Sequence, residues 1–192
     1  MDKDMNASTA ERPVSRTHDE IIKEAGRIEE AALFSSKGHF KAAGLWGFFH
    51  LALGLPTVVI AGVVGAAAFA RFDSGGWWAG FLSIAVVVLS SVTTFLNPNK
   101  KAADHLNAGN KYDALLNKVR IFRTIECWEE TSDQVLSERL KRHSEDKSTL
   151  SQTCPGIPTI AYRLAKCGIQ RGEGDYSVDA KPEGNDKGSR DC

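Results

Sequence analysis

AAGLWGFFHLALGLPTVVIAGVVGAAAFA, from Ala42 to Ala70, runs for 29 residues without an Asp, Glu, Lys or Arg. WWAGFLSIAVVVLSSVTTFL, from Trp77 to Leu96, adds 20 more charge-free residues, and only RFDSGG separates the two runs. A bilayer core about 30 Å thick is crossed by about 20 helical residues rising about 1.5 Å each, so both runs are long enough to span it. The alternative is a buried hairpin in a soluble helical protein. Such a core helix keeps a polar face, however, and these two are apolar nearly all round. The pattern predicts an all-α membrane protein: a two-transmembrane helical hairpin with spans over about 45–70 and 77–96.

Bulk composition conceals this segregation. The chain has 192 residues, 42% hydrophobic and 25% charged, with a formal net charge of zero, values that fit an ordinary soluble domain. The first 41 residues are polar and lack a short apolar core near the start, so the first span is expected to direct its own insertion instead of following a cleavable signal. Lys37 and Lys41 precede the first span. Lys100, Lys101, Lys111, Lys118, Arg120 and Arg123 follow the second, against Arg71 alone in the connecting loop. By the excess of basic residues on cytoplasmic flanks, both termini are expected in the cytoplasm. Trp46 then marks the inner interface, and Trp77 with Trp78 the outer one. The four cysteines, Cys127, Cys154, Cys167 and Cys192, show no CxxC spacing and are expected to be reduced thiols that bind no metal.

His50 and Pro56 are unusual inside an apolar helix. Counting back about 20 residues from Ala70 puts His50 at the inner boundary beside Trp46, where an imidazole is tolerated as an anchor or as a group at the mouth of a pore. Pro56 cannot donate to the Ala52 carbonyl and is expected to kink the span. At about 100° per residue, His50, Thr57, Ala61 and Ala68 share one narrow arc, and Ser83, Ser90 and Thr94 share another on the second helix. Two readings stay open. Small and hydroxyl-bearing residues permit close helix packing, with each hydroxyl bonded to its own backbone. Alternatively the stripes line a pore built from several copies, since one hairpin encloses no channel.

Outside the spans the chain reads as amphipathic cytoplasmic helices. THDE, Thr17 to Glu20, has capping-box spacing, and Ile21, Ala25, Ile28 and Ala32 follow on one face. Asn97 and Pro98 suit an N-cap and first helical position just beyond the second span. The helix they start carries a seam of Tyr112, Leu115, Val119 and Phe122, fit to pack on the amino-terminal helix or on the same helix in another subunit. TSDQVLSERLKRH, Thr131 to His143, predicts a further short helix. Pro155 and Pro158 bracket a turn before IAYRLAKCGI. The expected divisions are a disordered 1–16, a two-span domain 17–126, a cytoplasmic helical extension 127–170 and a disordered tail 171–192.

No nucleophile with its base, paired carboxylates or metal-ligand cluster stands at a recognisable spacing, so neither an enzyme nor a cofactor is expected. The two glycines of RGEGD lack the strand, helix and lysine of a phosphate loop. Neutral charge and interspersed acids argue against nucleic-acid binding, and two spans without an internal repeat argue against a secondary transporter.

TTFLNPNKKAADHLNAGNKYDALLNKVR, Thr93 to Arg120, directly after a second span, resembles the signature region of the SLATT family, two-transmembrane effectors associated with SMODS nucleotide synthetases and SLOG sensor domains in bacteria. Thr94, Phe95, Ala103, His105, Ala108, Tyr112 and Leu115 carry the likeness, which extends over roughly 21–126. The resemblance implies an inner-membrane effector of a nucleotide-signalled anti-phage system. Such an effector would oligomerise into a pore that disrupts the membrane. This chain shows no SMODS or SLOG domain, so nucleotide sensing is expected from a separate nucleotide synthetase or nucleotide-sensing protein, or from the short tail. The other function kept open is a non-conducting membrane anchor or scaffold that recruits a cytoplasmic partner.

Overall fold

The computed structural model describes residues 16–69, 77–130, 132–174 and 176. The Arg71 loop, Cys192 and nearly all of the two segments expected to be disordered lie outside these residues, as does the side chain of Ala68. Among the described residues there is no strand. The helices are α1 (Arg16–Phe69), α2 (Trp77–Leu96), α3 (Pro98–Ile121), α4 (Cys127–Glu129), α5 (Asp133–Thr153) and α6 (Thr159–Gln170), with a π-helical turn at Phe122–Glu126 joining α3 to α4.

α1 is a single helix of 54 residues that unites the amphipathic amino-terminal stretch with the first apolar run. Helix already includes Arg16, so Thr17 lies inside α1 and does not cap it. Pro56 also lies within α1 without ending it. α2 passes almost directly into α3. At the joint Asn97 takes a left-handed conformation, φ 43° and ψ 56°, which a short polar side chain tolerates. Its side-chain oxygen accepts from the Lys100 amide at 3.3 Å, while Pro98 fills the first helical position. Main-chain bonds from Asn97 to Thr93 (3.0 Å) and from Lys101 to Asn97 (3.2 Å) bridge the joint.

The core lies where α1 packs along α3. Ile21, Ala25, Ile28 and Ala32 from α1 meet Leu115, Leu116, Val119 and Phe122, and Cys127 and Leu136 close the lower end. On α3 the buried positions His105, Ala108, Tyr112, Leu115 and Val119, then Phe122, alternate spacings of three and four, the pattern that holds two helices along a shared seam. The seam that sequence left open to either partner is occupied by α1 of the same chain.

α5 runs ten residues past His143, because Leu136, Leu140 and Leu150 give it an apolar edge on this core. α6 follows the proline-bracketed turn and buries the small face Ala161, Ala165 and Gly168; it packs on α1. Arg171–Gly174 form a turn held by Glu173, whose amide donates to the Gly168 carbonyl and whose carboxylate pairs with Lys41 at 2.9 Å. Cys127 and Cys154 are free thiols, whereas Cys167 is disulfide-bonded, a departure from the expectation of four reduced cysteines.

Candidate functional site

Above Ala42 the burial that characterises the α1–α3 pair stops. Phe48, Leu51, Leu55, Val58 and Val63 on α1, and Phe81, Ile84, Val87 and Phe95 on α2, are exposed, Phe95 at 89%. Both α1 and the α2 region contain a window long and apolar enough to cross a membrane, and neither window is buried by the rest of the chain. Apolar surface costs about 25 cal/mol for each Å² exposed to water, and soluble monomers rarely present large contiguous apolar patches. At the lower edge of this belt the Lys101 ammonium sits 4.4 Å from the centre of the Trp46 ring, and at the upper edge the Trp77 and Trp78 rings stack at 3.9 Å.

The polar residues of the belt divide into two sets. His50 and Thr57 are half-buried on α1, and Ser90 is half-buried on α2; Ser83, Thr94 and Ala61 are exposed. On α2 the half-buried positions Leu82, Ala85, Val86, Leu89, Thr93 and Leu96 mark the inner face. The expected Ser83, Ser90 and Thr94 stripe therefore lies along the flank of that face, about 90° from its middle. Most of these hydroxyls are satisfied within their own helix. Thr57 donates to the Leu53 carbonyl, Ser83 to Ala79 and Ser91 to Val87, each at 2.7 Å, and Thr93 donates to Leu89 at 2.8 Å. His50 is different. Its Nδ1 is buried and accepts or donates no hydrogen bond among the described residues.

Below the belt, where α1 and α3 are fully packed, two buried histidines meet. His39 Nδ1 lies 3.0 Å from His105 Nδ1. One ring must present the N–H and the other a lone pair; where both rings are neutral, they are in opposite tautomers. Burial pushes the His39 pKa down to about 4, with the charge of His105 adding to the effect. Burial also lowers that of His105, against the opposing pull of Asp104. The Tyr112 ring stacks on His39 at 5.5 Å and 17°. Its hydroxyl lies 3.3 Å from Ser151 Oγ on α5; since that serine donates to the Lys147 carbonyl, the tyrosine is the donor between them. One polar chain thus links α1, α3 and α5. Tyr112 stood out in the sequence as part of the α3 seam, His105 only through family resemblance, and His39 did not stand out. Its signal was positional: it continues the buried face of Ile28, Ala32 and Ser36 at helical spacing.

The remaining seam residues Leu115, Val119 and Phe122 are buried in the same interface, Phe122 with its ring 5.2 Å from that of His143. Compared with known proteins, the chain matches no family model, no curated protein and no solved structure.

Proposed function

We propose that this protein is a bacterial inner-membrane effector whose two apolar helices cross the bilayer as a hairpin, with both termini and the packed amphipathic helices in the cytoplasm, and whose copies assemble into a pore. The observation that carries the membrane reading is the exposed apolar belt of α1 and α2, charge-free over the thickness of a bilayer and bounded below by the Trp46 and Lys101 pair. Lipid is the solvent in which that surface is stable. Assembly is required because one hairpin encloses no channel.

The resemblance of Thr93–Arg120 to the SLATT signature supports a role in nucleotide-signalled defence, with the trigger supplied by a separate synthetase or sensor acting on the cytoplasmic helices. Such a partner shifts the assembly toward an open form only by binding that form more tightly. Ser83, Ser90 and Thr94, with Thr57 and His50 on α1, are the proposed lining. Cells expressing the chain are expected to lose membrane potential, and replacing Ser83, Ser90 and Thr94 together with alanine should abolish the loss while leaving membrane insertion intact. Unchanged depolarisation would remove the lining role.

A second reading has its own observation. Thr57, Ser83, Ser91 and Thr93 all bond to their own helix backbone, as in helices that merely pack. The protein is then an anchor that displays its cytoplasmic helices to a partner. Dye release from liposomes holding the purified chain, with and without a partner, separates the two, because an anchor releases none.

A further inference from the structure

α6 stands apart from α5 in its charge. Thr159–Gln170 contains Arg163 and Lys166 and no acid, whereas α5 mixes four acids with four bases as a solvated helix does. Around its circumference α6 is divided in three. Ala161, Ala165 and Gly168 are buried against α1. At about 100° per residue, Ile160 and Leu164 fall along one edge beside that face and Tyr162 along the opposite edge, while Arg163 and Lys166 lie on the outward side. Ile160 is 66% exposed and Leu164 46%, so their edge stands open.

Contacts with α1 fix where each edge points. Just before α6 begins, Ile157 covers Gly38, where an added Cβ would meet it at 3.0 Å. Just beyond its end, Glu173 lodges against Gly168 and pairs with Lys41, and Gly174 lies over Leu33. α6 is about 18 Å long, yet both of its ends meet the same short stretch of α1, 33–41, so it crosses α1 instead of running along it. Tyr162 reaches Phe34, with ring centres 6.4 Å apart. Side chains of a helix lean toward its amino terminus, which in α1 is away from the apolar belt, so Tyr162 marks the lower edge of α6. Ile160 and Leu164 therefore face the belt. Ala42, where the burial of α1 ends, stands only about 6 Å above Gly38.

We propose that the upper edge of α6 rests on the membrane surface, with Ile160 and Leu164 inserted where headgroups meet acyl chains and Arg163 and Lys166 paired with the phosphates of anionic phospholipid. The proposal rests on the membrane reading above, and the leaflet is the one at which the spans enter. A basic helix with one apolar edge lies in the plane of an interface, because apolar burial and attraction to anionic lipid add. α1 holds α6 at the depth this requires, just below the start of the belt. The long stems of Arg163 and Lys166 let their charged ends turn toward the headgroups. Glu173, an acid just past the end of α6, is matched by Lys41 at 2.9 Å and so does not oppose them.

The test places a nitrobenzoxadiazole fluorophore on the full-length chain through Leu164→Cys on α6, Glu145→Cys on the exposed side of α5, or Val88→Cys in the belt, with the parent chain labelled in parallel as background. Each is reconstituted into phosphatidylcholine vesicles with or without phosphatidylglycerol, carrying a nitroxide quencher on the acyl chain. Strong quenching is expected at 88 and 164 and little at 145. Quenching at 88 but not at 164 overturns the proposal and leaves the spans standing, whereas quenching at neither overturns both. Quenching at 164 should be several-fold greater with phosphatidylglycerol than without, and Arg163→Glu with Lys166→Glu should remove that difference while helicity by circular dichroism is retained. Equal quenching in the two vesicles, or a difference that survives the charge reversal, overturns the assignment of anionic lipid.

Discussion

His39 of α1 and His105 of α3, both buried, face each other with their Nδ1 atoms 3.0 Å apart, a contact that needs at least one uncharged ring as acceptor. Because burial holds both pKa values below the ordinary 6.5, the unfolded chain takes up protons before the folded one as pH falls. Stability from this pair is full above about pH 6.5 and declines toward about pH 4, the value of His39. Thermal melts followed by circular dichroism in detergent at pH 7 and pH 4.5 should show the loss, and the double variant His39→Leu, His105→Leu should lose less over the same interval. An equal loss in both would assign the acid sensitivity elsewhere.

Removing one partner is expected to cost more than removing both. His39→Leu leaves the buried Nδ1 of His105 without its bond and should destabilise by about 1–3 kcal/mol, while the double variant recovers part of this. Chemical denaturation of the two singles and the double, closed as a cycle, gives the coupling directly.

Two glycines in helical segments should respond in opposite directions. A Cβ on Gly109 would lie 2.8 Å from the Phe40 ring of α1, so Gly109→Ala displaces the ring or the helices and destabilises. At Gly44 nothing lies within 4 Å, and Gly44→Ala should stabilise by up to about 1 kcal/mol through helix propensity alone. Melting temperatures of the pair provide the check.

Phe122 and Phe95 are the same residue type in opposite surroundings. Phe122 is fully buried, and Phe122→Ala should cost about 3–5 kcal/mol of folding stability. Phe95→Ala removes no internal contact of that kind and should leave denaturation nearly unchanged.

A charge in the middle of the belt tests the lipid reading itself. Val88 is exposed on α2, and Val88→Arg should raise the insertion free energy by about 2.5–3.5 kcal/mol, seen as a shift of the chain from the membrane to the alkali-soluble fraction. Unchanged partitioning would mean that this face does not meet hydrocarbon.

Much of the architecture was legible from one dimension because the forces involved are local or depend on composition. The absence of charge over 29 and 20 residues marks the two long apolar helices without reference to any contact, and the Asn97–Pro98 pair marks the restart of the chain because capping is a matter of adjacent residues. Residues at spacings of three and four likewise disclosed the seam on α3. Extents were less legible. The cap expected at Thr17 lies inside α1, which already includes Arg16, and the helix expected to end at His143 runs on to Thr153, where Leu150 packs on the core.

Which faces meet was decided only in three dimensions. Nothing in the order of residues distinguishes a seam destined for α1 from one destined for another copy, because both need the same apolar periodicity; the antiparallel approach of α1 to α3 assigns it to the former. The same approach brings His39 to His105 across 66 residues of sequence, and it leaves Ser83 and Thr94 outward while Ser90 turns partly in. Sequence thus set the polarity of each helix, a property of single residues at a known angular step. Tertiary structure chose the partner of each face, because that depends on the relative rotation and height of helices far apart along the chain.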